Sequence, residues 1–448
     1  MTPGQIPANI LKLILSMRED LRALQFDQPH KAREFAHWLM HHGVVEYPVL
    51  QELAHTSSQD LRQPPHPFGV NLVGYAFGEL GIGEDVRMAG RALLANRVPF
   101  TMIDFKPGDN IPQNDRSMAK YVSNQNRYAI NLFCMTAQEN ARHFLTQSQG
   151  HYAGRYNIGY WPWELSVWPR DWELSFDLVD EVWVSTWHTY HALADICPKP
   201  LFRMPMAVET PDISVLADRA HTRSRFKLPQ TATLFCFSFD FNSSIHRKNP
   251  QACVDAFLQA FPRQEFDRED VGLIIKVHTP KEPNAAWNQL KQLMRRDNRI
   301  HVIETTLSKP DLLALYQACD CFLSLHRAEG FGRGIAEALT LGLHVITTGY
   351  SGNVDFCQAP QADLVDYSLT PVGAKQYPYW EGQVWAEPDV GHAAQLMRNF
   401  ADRRRASQSH ARHVNTQWLE FSGKVVGKRY LDRLRQIQSE NPELFSPD

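Results

Sequence analysis

The chain has 448 residues, a formal net charge of −3 and a pI near 6.7, so its overall electrostatics argue against nucleic acid and against strong binding to an anionic bilayer. Seven cysteines, an odd number with no C-x-x-C pair, exclude a disulfide framework and a zinc signature and fit a reducing cytoplasm. No apolar run approaches the roughly 20 residues that cross a bilayer, and the first 20 residues lack a signal-like block, so a cytoplasmic chain is expected, with peripheral contact at the inner face of a membrane as an alternative.

The length exceeds one ordinary core and suggests two domains of roughly 150 to 200 residues. Residues 1–66 read as a helical extension, with Ile10, Leu13, Ile14, Met17, Leu21 and Leu24 on one face, then Phe35, Trp38 and Leu39. Lys12, Arg18 and Arg22 lie near that face, but Glu19 and Asp20 offset them, so burial on the following domain or on a partner subunit is favoured over a membrane surface. The RQPPHP run at 62–67 breaks the pattern and FGVNLVGY opens an α/β domain over 67–210. Further strands are expected near 99–104, 128–134, 155–161, 181–185 and 200–204. A second domain, 211–403, repeats the alternation with strands near 233–239, 271–277, 300–304, 321–326 and 344–348. Such alternation predicts parallel sheets with helices on both faces.

In the first domain, AFGELGIGEDVR (76–87) places Gly78, Gly81 and Gly83 before a helix expected to open on Glu84 and Asp85. The spacing is not a dinucleotide fingerprint, and a tight packing turn is the competing reading. Aromatic residues crowd between 152 and 190, fit either for a sugar-site floor or for core. The densest signal lies at 324–348, SLHRAEGFGRGIAEALTLGLHVITT: a buried strand, a turn with Gly330, Gly332 and Gly334, and a helix ending on Gly342. Glycines let a ligand approach the backbone, and the helix amides make the turn an anion cradle. Glu329 is expected at the ligand end and Glu337 in the first helical turn, so that both carboxylates face one ligand. At 237–250, FSFDFNSSIHRKNP delivers Arg247 and Lys248 after the second domain's first strand, where cations could meet a diphosphate or simply be solvated.

The 324–348 stretch resembles the glutamate-pair signature of the retaining glycosyltransferases of family 4, which have the two-domain GT-B fold: two Rossmann-like doubly wound domains facing a cleft. The resemblance implies that Glu329 contacts the donor hexose, that Glu337 holds the ribose hydroxyls, and that the amides of Phe331, Gly332 and Arg333, with Gly330, lie near the diphosphate. Family members carry an Arg just after the first strand of this domain; here that slot holds Asp240, Phe241, Asn242 or Ser243, so Arg247 or Lys276 is expected to replace it beside Lys248. A G-x-G-E-x-x-R run recurs in relatives acting on bacterial polysaccharides, which makes Gly81, Gly83, Glu84 and Arg87 cleft candidates. Where many members have a sugar-contacting histidine, this chain has Trp161, Trp163 and Glu164. His188 and His191 are expected on a helix surface, and His326 either at the cleft or in packing. An S-G-N-x-D-F run would bring Ser351, Gly352 and Asn353 to the diphosphate or acceptor, and W-A-E-P-D would open the late helix. By the same resemblance, 404–448 completes the first domain.

The implied reaction moves a hexose from a nucleoside diphosphate sugar, a GDP-mannose-like donor being favoured, to a glycan or lipid-linked glycan of a bacterial polysaccharide. No cofactor and no metal are expected. Nucleic acid is not an expected partner; contact with an assembly complex and oligomerisation through the N-terminal helices stay open. A sugar-nucleotide epimerase and an inactive scaffold of polysaccharide assembly are the alternatives.

Overall fold

The structure, a computed structural model, describes residues 7–22, 29–55, 64–107, 111–147, 149–210, 218–278, 283–358, 360–406 and 420–447. Two six-stranded parallel sheets dominate it. The first contains β1 (Val70–Gly74), β2 (Phe100–Asp104), β3 (Ile130–Cys134), β4 (Tyr156–Tyr160), β5 (Glu181–Val184) and β6 (Leu201–Arg203), in the order β2-β1-β3-β4-β5-β6. The second contains β7 (Thr233–Asp240), β8 (Val271–His278), β9 (Ile300–Ile303), β10 (Cys321–Ser324), β11 (His344–Thr348) and β12 (Ala362–Val365), ordered β12-β11-β10-β7-β8-β9. All ten later strands expected from the sequence are present, together with the opening one; most are trimmed at an end, β7 and β8 run one residue longer and β11 matches its expected bounds, while β12 is not among the expected strands.

Strands such as VNLVG and INLFC are buried at every position, as a sheet covered on both faces requires. The register of the first sheet is pinned by a buried asparagine ladder. Asn71 donates to Asn131 at 3.0 Å and Asn131 to Asn157 at 2.8 Å, across β1, β3 and β4. A slip by one residue would strand these amides in the core.

The order of strands reverses between β1 and β3 in the first sheet and between β7 and β10 in the second. Crevices for ligands form outside the carboxyl ends of strands at such switch points. The loop after β7 carries Arg247 and Lys248, and the loop after β10 carries Glu329 and the glycine turn.

The N-terminal helices pack onto the first domain. Ile10, Leu13, Ile14 and Leu21, with Phe35 and Leu39, are buried in one cluster with Val73, Phe133 and Trp172; Leu24 lies outside the described residues. The terminal helix, Gly423–Glu440, lies on the helix Gly81–Ala95 of the first domain, so closely that a Cβ at Gly427 would overlap the Ala92 carbonyl. It is tied there by Arg433, which donates to the buried Glu181 carboxylate at 2.5 and 3.1 Å. The stretch expected to separate the two domains, near 205–225, includes residues 211–217 outside the described ones.

Three local expectations are corrected. Gly81 and Gly83 do not precede their helix but lie in its first turn, behind Leu80 as N-cap. W-A-E-P does not open a helix; it forms β14 (Val384–Pro388), paired antiparallel with β13 (Tyr367–Pro371), and the helix Val390–Ala406 follows. Glu337 sits in the second turn of the helix Arg333–Thr340, because Gly332, with φ +93°, is the N-cap and the helix begins at Arg333. That helix does end as expected, with Gly342 at φ +75° closing it through amide bonds from Gly342 to Leu339 and from Leu343 to Ala338.

Candidate functional site

The site grows from the crossing of two loops at the β7/β10 switch point. After β7, a short helix Ile245–Lys248 ends at Asn249, in left-handed conformation, which turns the chain into the next helix, Pro250–Ala260. Arg247 points inward from this short helix and is buried. Its guanidinium donates to the Ala328 carbonyl at 2.9 Å and to Glu329 Oε2 at 3.1 Å, while Lys248 Nζ pairs with Glu329 Oε1. Glu329 is 7 % exposed. Burial alone would favour its neutral acid, but Lys248 and Arg247 outweigh that and hold the carboxyl at about 2. Lys276 lies elsewhere, in β8 beside Asp240. Of the two replacements expected for the family arginine, Arg247 is the one that the fold brings to Glu329.

The glycine turn is braced from both sides. The Glu329 N–H donates to Ser351 Oγ and Gly352 N–H donates to the Glu329 carbonyl, both at 2.8 Å. A Cβ on Gly352 would fall 2.9 Å from the Glu329 carbonyl oxygen and overlap that of Gly330. From the first domain, Thr186 Oγ1 donates to the Gly330 carbonyl at 2.8 Å, and a Cβ on Gly330 would meet the Trp163 carbonyl at 2.7 Å. The helix that follows has no side-chain cap, so its first amides, with Phe331 and Gly332 before them, face the switch point.

Several expected ligand contacts prove structural. Ser351 and Gly352 hold the turn rather than pointing to a ligand, and Asn353 is fully buried, bonded to His326 and to the Thr348 carbonyl. His326 is a packed histidine: between Ser324 and Asn353, burial lowers it to about 4. Trp161 and Trp163 do not floor a cleft. Both are at most 2 % exposed; Trp161 stacks on Trp168 and meets Phe176 at a tilt, and Trp163 meets Trp172 edge-on. Their neighbour Glu164 does reach the site, 3.8 Å from Arg247 and accepting from Tyr377 at 2.9 Å. His188 corrects its surface assignment: its Nε2 lies 2.8 Å from the Glu164 carbonyl and its ring meets Tyr350 edge-on. His191 is exposed, as expected.

On the first-domain side, Arg87 folds back into its own turn, bonded to the carbonyls of Ala76 and Gly78 and to the carboxylates of Glu84 and Asp115. Gly83 serves close packing, since a Cβ would lie 3.0 Å from the Tyr75 carbonyl, whereas Gly81 faces open space. Arg333 crosses to this domain with its side chain, donating from Nε to Asp85 at 2.8 Å and from Nη1 to the Ala207 carbonyl at 3.3 Å. Glu337 is 3 % exposed and pairs with Lys309.

The sequence reading missed Lys309 and Tyr377. Lys309 opens the helix Lys309–Ala318, where the dipole disfavours a cation, and that placement was the available signal of a carboxylate partner. Tyr377 stands on the β13–β14 hairpin, within an aromatic YPYW run whose flanking strands were not read. Among the described residues, no group of three or more His, Cys, Asp or Glu side chains could hold a metal ion, and no helix is long and apolar enough to cross a membrane.

Residues 241–367 match the family model of the glycosyl transferases group 1, which covers the β7 and β10 loops and both glutamates. No curated protein matches the chain in sequence. Among solved structures, it is similar to sucrose-phosphate synthase from Thermosynechococcus elongatus, with a TM-score of 0.56 at 15% identity over 85% of this chain and 100% of that one. Anabaena Alr3699/HepE in complex with UDP and glucose gives 0.57 at 13% identity over 82% and 100%. A glycosyltransferase from Rickettsia africae gives 0.56 at 13% identity over 83% and 98%. The fold is GT-B, and with the matched domain at its switch point the chain is a glycosyltransferase.

Proposed function

We propose that this chain is a retaining glycosyltransferase of family 4 that moves a hexose from a nucleoside diphosphate sugar, GDP-mannose-like, to a growing bacterial polysaccharide such as O-antigen, capsule or exopolysaccharide. The observation that carries the reading is the buried Glu329, ionised between Lys248 and Arg247 at the mouth of the glycine turn. A nucleotide sugar has two halves that this arrangement can meet. Its hydroxyls suit acceptor-only carboxylates, Glu329 for the hexose and Glu337 for the ribose. Its diphosphate suits Lys248, Arg247 and the turn amides at Phe331, Gly332 and Arg333. The structural neighbour in complex with UDP and glucose supports a donor of this class.

In the proposed reaction, the acceptor hydroxyl oxygen bonds to the sugar's anomeric carbon as the bond from that carbon to the diphosphate oxygen breaks. The departing diphosphate takes the acceptor proton on the same face, so configuration is retained and no side-chain base is consumed. The protein's part is to orient the donor and to stabilise the charge that grows on the leaving group. Lys248 and Arg247 supply the compensating positive charge without a divalent cation or cofactor.

Thermal shift of the purified protein against GDP-, UDP- and dTDP-sugars tests the donor class, because a ligand at 100 times its dissociation constant stabilises by about 2.7 kcal/mol. Product analysis with the responding donor, with and without a polysaccharide acceptor and with EDTA, tests the transfer. Transfer with retained configuration and no loss on chelation is the expected result. A rate abolished by EDTA and restored by magnesium or manganese overturns the metal-free step, and an epimerised free donor overturns the transferase.

A further inference from the structure

Glu337, the carboxylate read as the ribose acceptor, is already occupied by the Lys309 ammonium. Lys309 stands at the start of its helix behind the N-cap Ser308, where the helix dipole works against a cation, so the carboxylates hold it there. Burial draws its ammonium toward the neutral form, and Glu337 and Glu84 reverse that and raise it. Those carboxylates come from different domains: Glu337 from the helix after the glycine turn, Glu84 from the first turn of the helix Gly81–Ala95.

The two arms differ. Lys309 is in direct contact with Glu337, whereas 3.5 Å separates it from Glu84 Oε1, longer than a charge-assisted hydrogen bond of about 2.8 Å. Glu84 divides its oxygens: Oε2 takes Arg87 at 3.0 Å, and Oε1 is the one turned to Lys309. Its side chain is buried, which by itself would raise it, but Lys309, Arg87 and Arg333 hold it ionised at about 2. Beside this arm, Arg333 and Asp85 tie the same two helices together. A ribose diol and an ammonium cannot both take the Glu337 oxygens at full strength.

Resting on the nucleotide-sugar reading, we propose that Lys309 is an exchange cation that couples the donor's ribose to the domain interface: the ribose displaces it from Glu337, and it closes onto Glu84. Donor binding thereby strengthens a bridge between the two domains, and Lys309 acts as a positioning residue without touching the reacting carbon.

The test is a double-mutant cycle read in nucleotide affinity. Titration calorimetry with UDP and with GDP is carried out on the full chain and on Glu84→Gln, Lys309→Met and the double variant. If Lys309 moves to Glu84 on binding, Glu84→Gln weakens the nucleotide by about tenfold, a coupling of ordinary size between linked sites. In the Lys309→Met background the same change alters affinity by less than about twofold, because no cation remains to be received. Lys309→Arg keeps the charge and restores the dependence on Glu84. Glu84→Asp draws the same charge back and, as a second variant that retains the carboxylate, falls between Glu84→Gln and the parent. Equal effects of Glu84→Gln with and without Lys309 overturn the exchange while leaving the nucleotide site intact. Absence of any UDP or GDP binding by the unmodified chain overturns the functional reading itself, a distinct result.

Discussion

The two switch-point turns of this molecule share a strand, a glycine-containing turn and a helix, yet they are filled differently. In the first domain, Arg87 occupies the carbonyls of its own turn, and Glu84 and Asp85 set two carboxylates on the first turn of the helix. Neither helix has a side-chain cap, but in the second Gly332 takes the left-handed conformation and two cations enter from the neighbouring loop to meet Glu329. A helix N-terminus attracts an anion only where its amides are open and its local charge is positive. The first turn sets its own carboxylates, Glu84 and Asp85, at the helix start; the second has no acidic residue there and is flanked by Arg247 and Lys248. Glycine content therefore does not identify a phosphate site unless the surrounding charge agrees.

The largest effect is expected at the ion cluster. Glu329→Ala leaves Arg247 and Lys248 buried without their shared carboxylate, so unfolding free energy is expected to fall by about 3 to 5 kcal/mol and turnover by at least about tenfold. Chemical denaturation and initial rates check both; a fully stable variant would show that the cations find other partners and that the cluster is not what sets this turn apart.

Acid should loosen the second turn through the packed histidine beneath it. His326 is lowered from 6.5 to about 4 by burial, so the unfolded chain binds its proton first and the folded chain must give up stability to accept it. The contribution is complete above pH 6.5 and is lost as pH falls toward 4, amounting to about 3 kcal/mol by linkage. Denaturation curves across that interval should show the loss, and His326→Gln should flatten it; an unchanged slope in the variant removes His326 from the account.

Glycine substitutions separate the turns most sharply in sign. Gly352→Ala forces a Cβ against two backbone carbonyls of the second turn and should cost about 1 to 3 kcal/mol. Gly81→Ala, in open space at a helix start, should stay within about 1 kcal/mol and stabilise. Thermal melts of the pair decide it, and similar losses in both would contradict the reading that Gly352, unlike Gly81, is fixed by close backbone contact.

The sequence disclosed the strands well because buried parallel strands read as short apolar runs; it pointed to Glu329 and the glycine turn because their spacing is local, and to Lys248 because it follows the second domain's first strand. It misled where a contact is made by distant segments. Trp161 and Trp163 read equally as sugar floor or core until their partners Trp168, Trp172 and Phe176 close around them. Ser351 and Asn353 carry polar side chains that suggest a ligand, yet the fold spends them on the Glu329 amide and on His326. Glu337 was placed one turn too early because nothing local shows that Gly332 is the N-cap. Lys309, which meets both Glu84 and Glu337, joins residues more than 200 positions apart in sequence on one side, and no periodicity can report that.

A nucleoside diphosphate is expected to bind at the second turn and not the first. Amide hydrogen exchange with and without saturating UDP or GDP tests it without altering the chain. Protection is expected at 245–249 and 329–336, with 76–83 changed less. Protection centred on 76–83, with 329–336 unaffected, would contradict it.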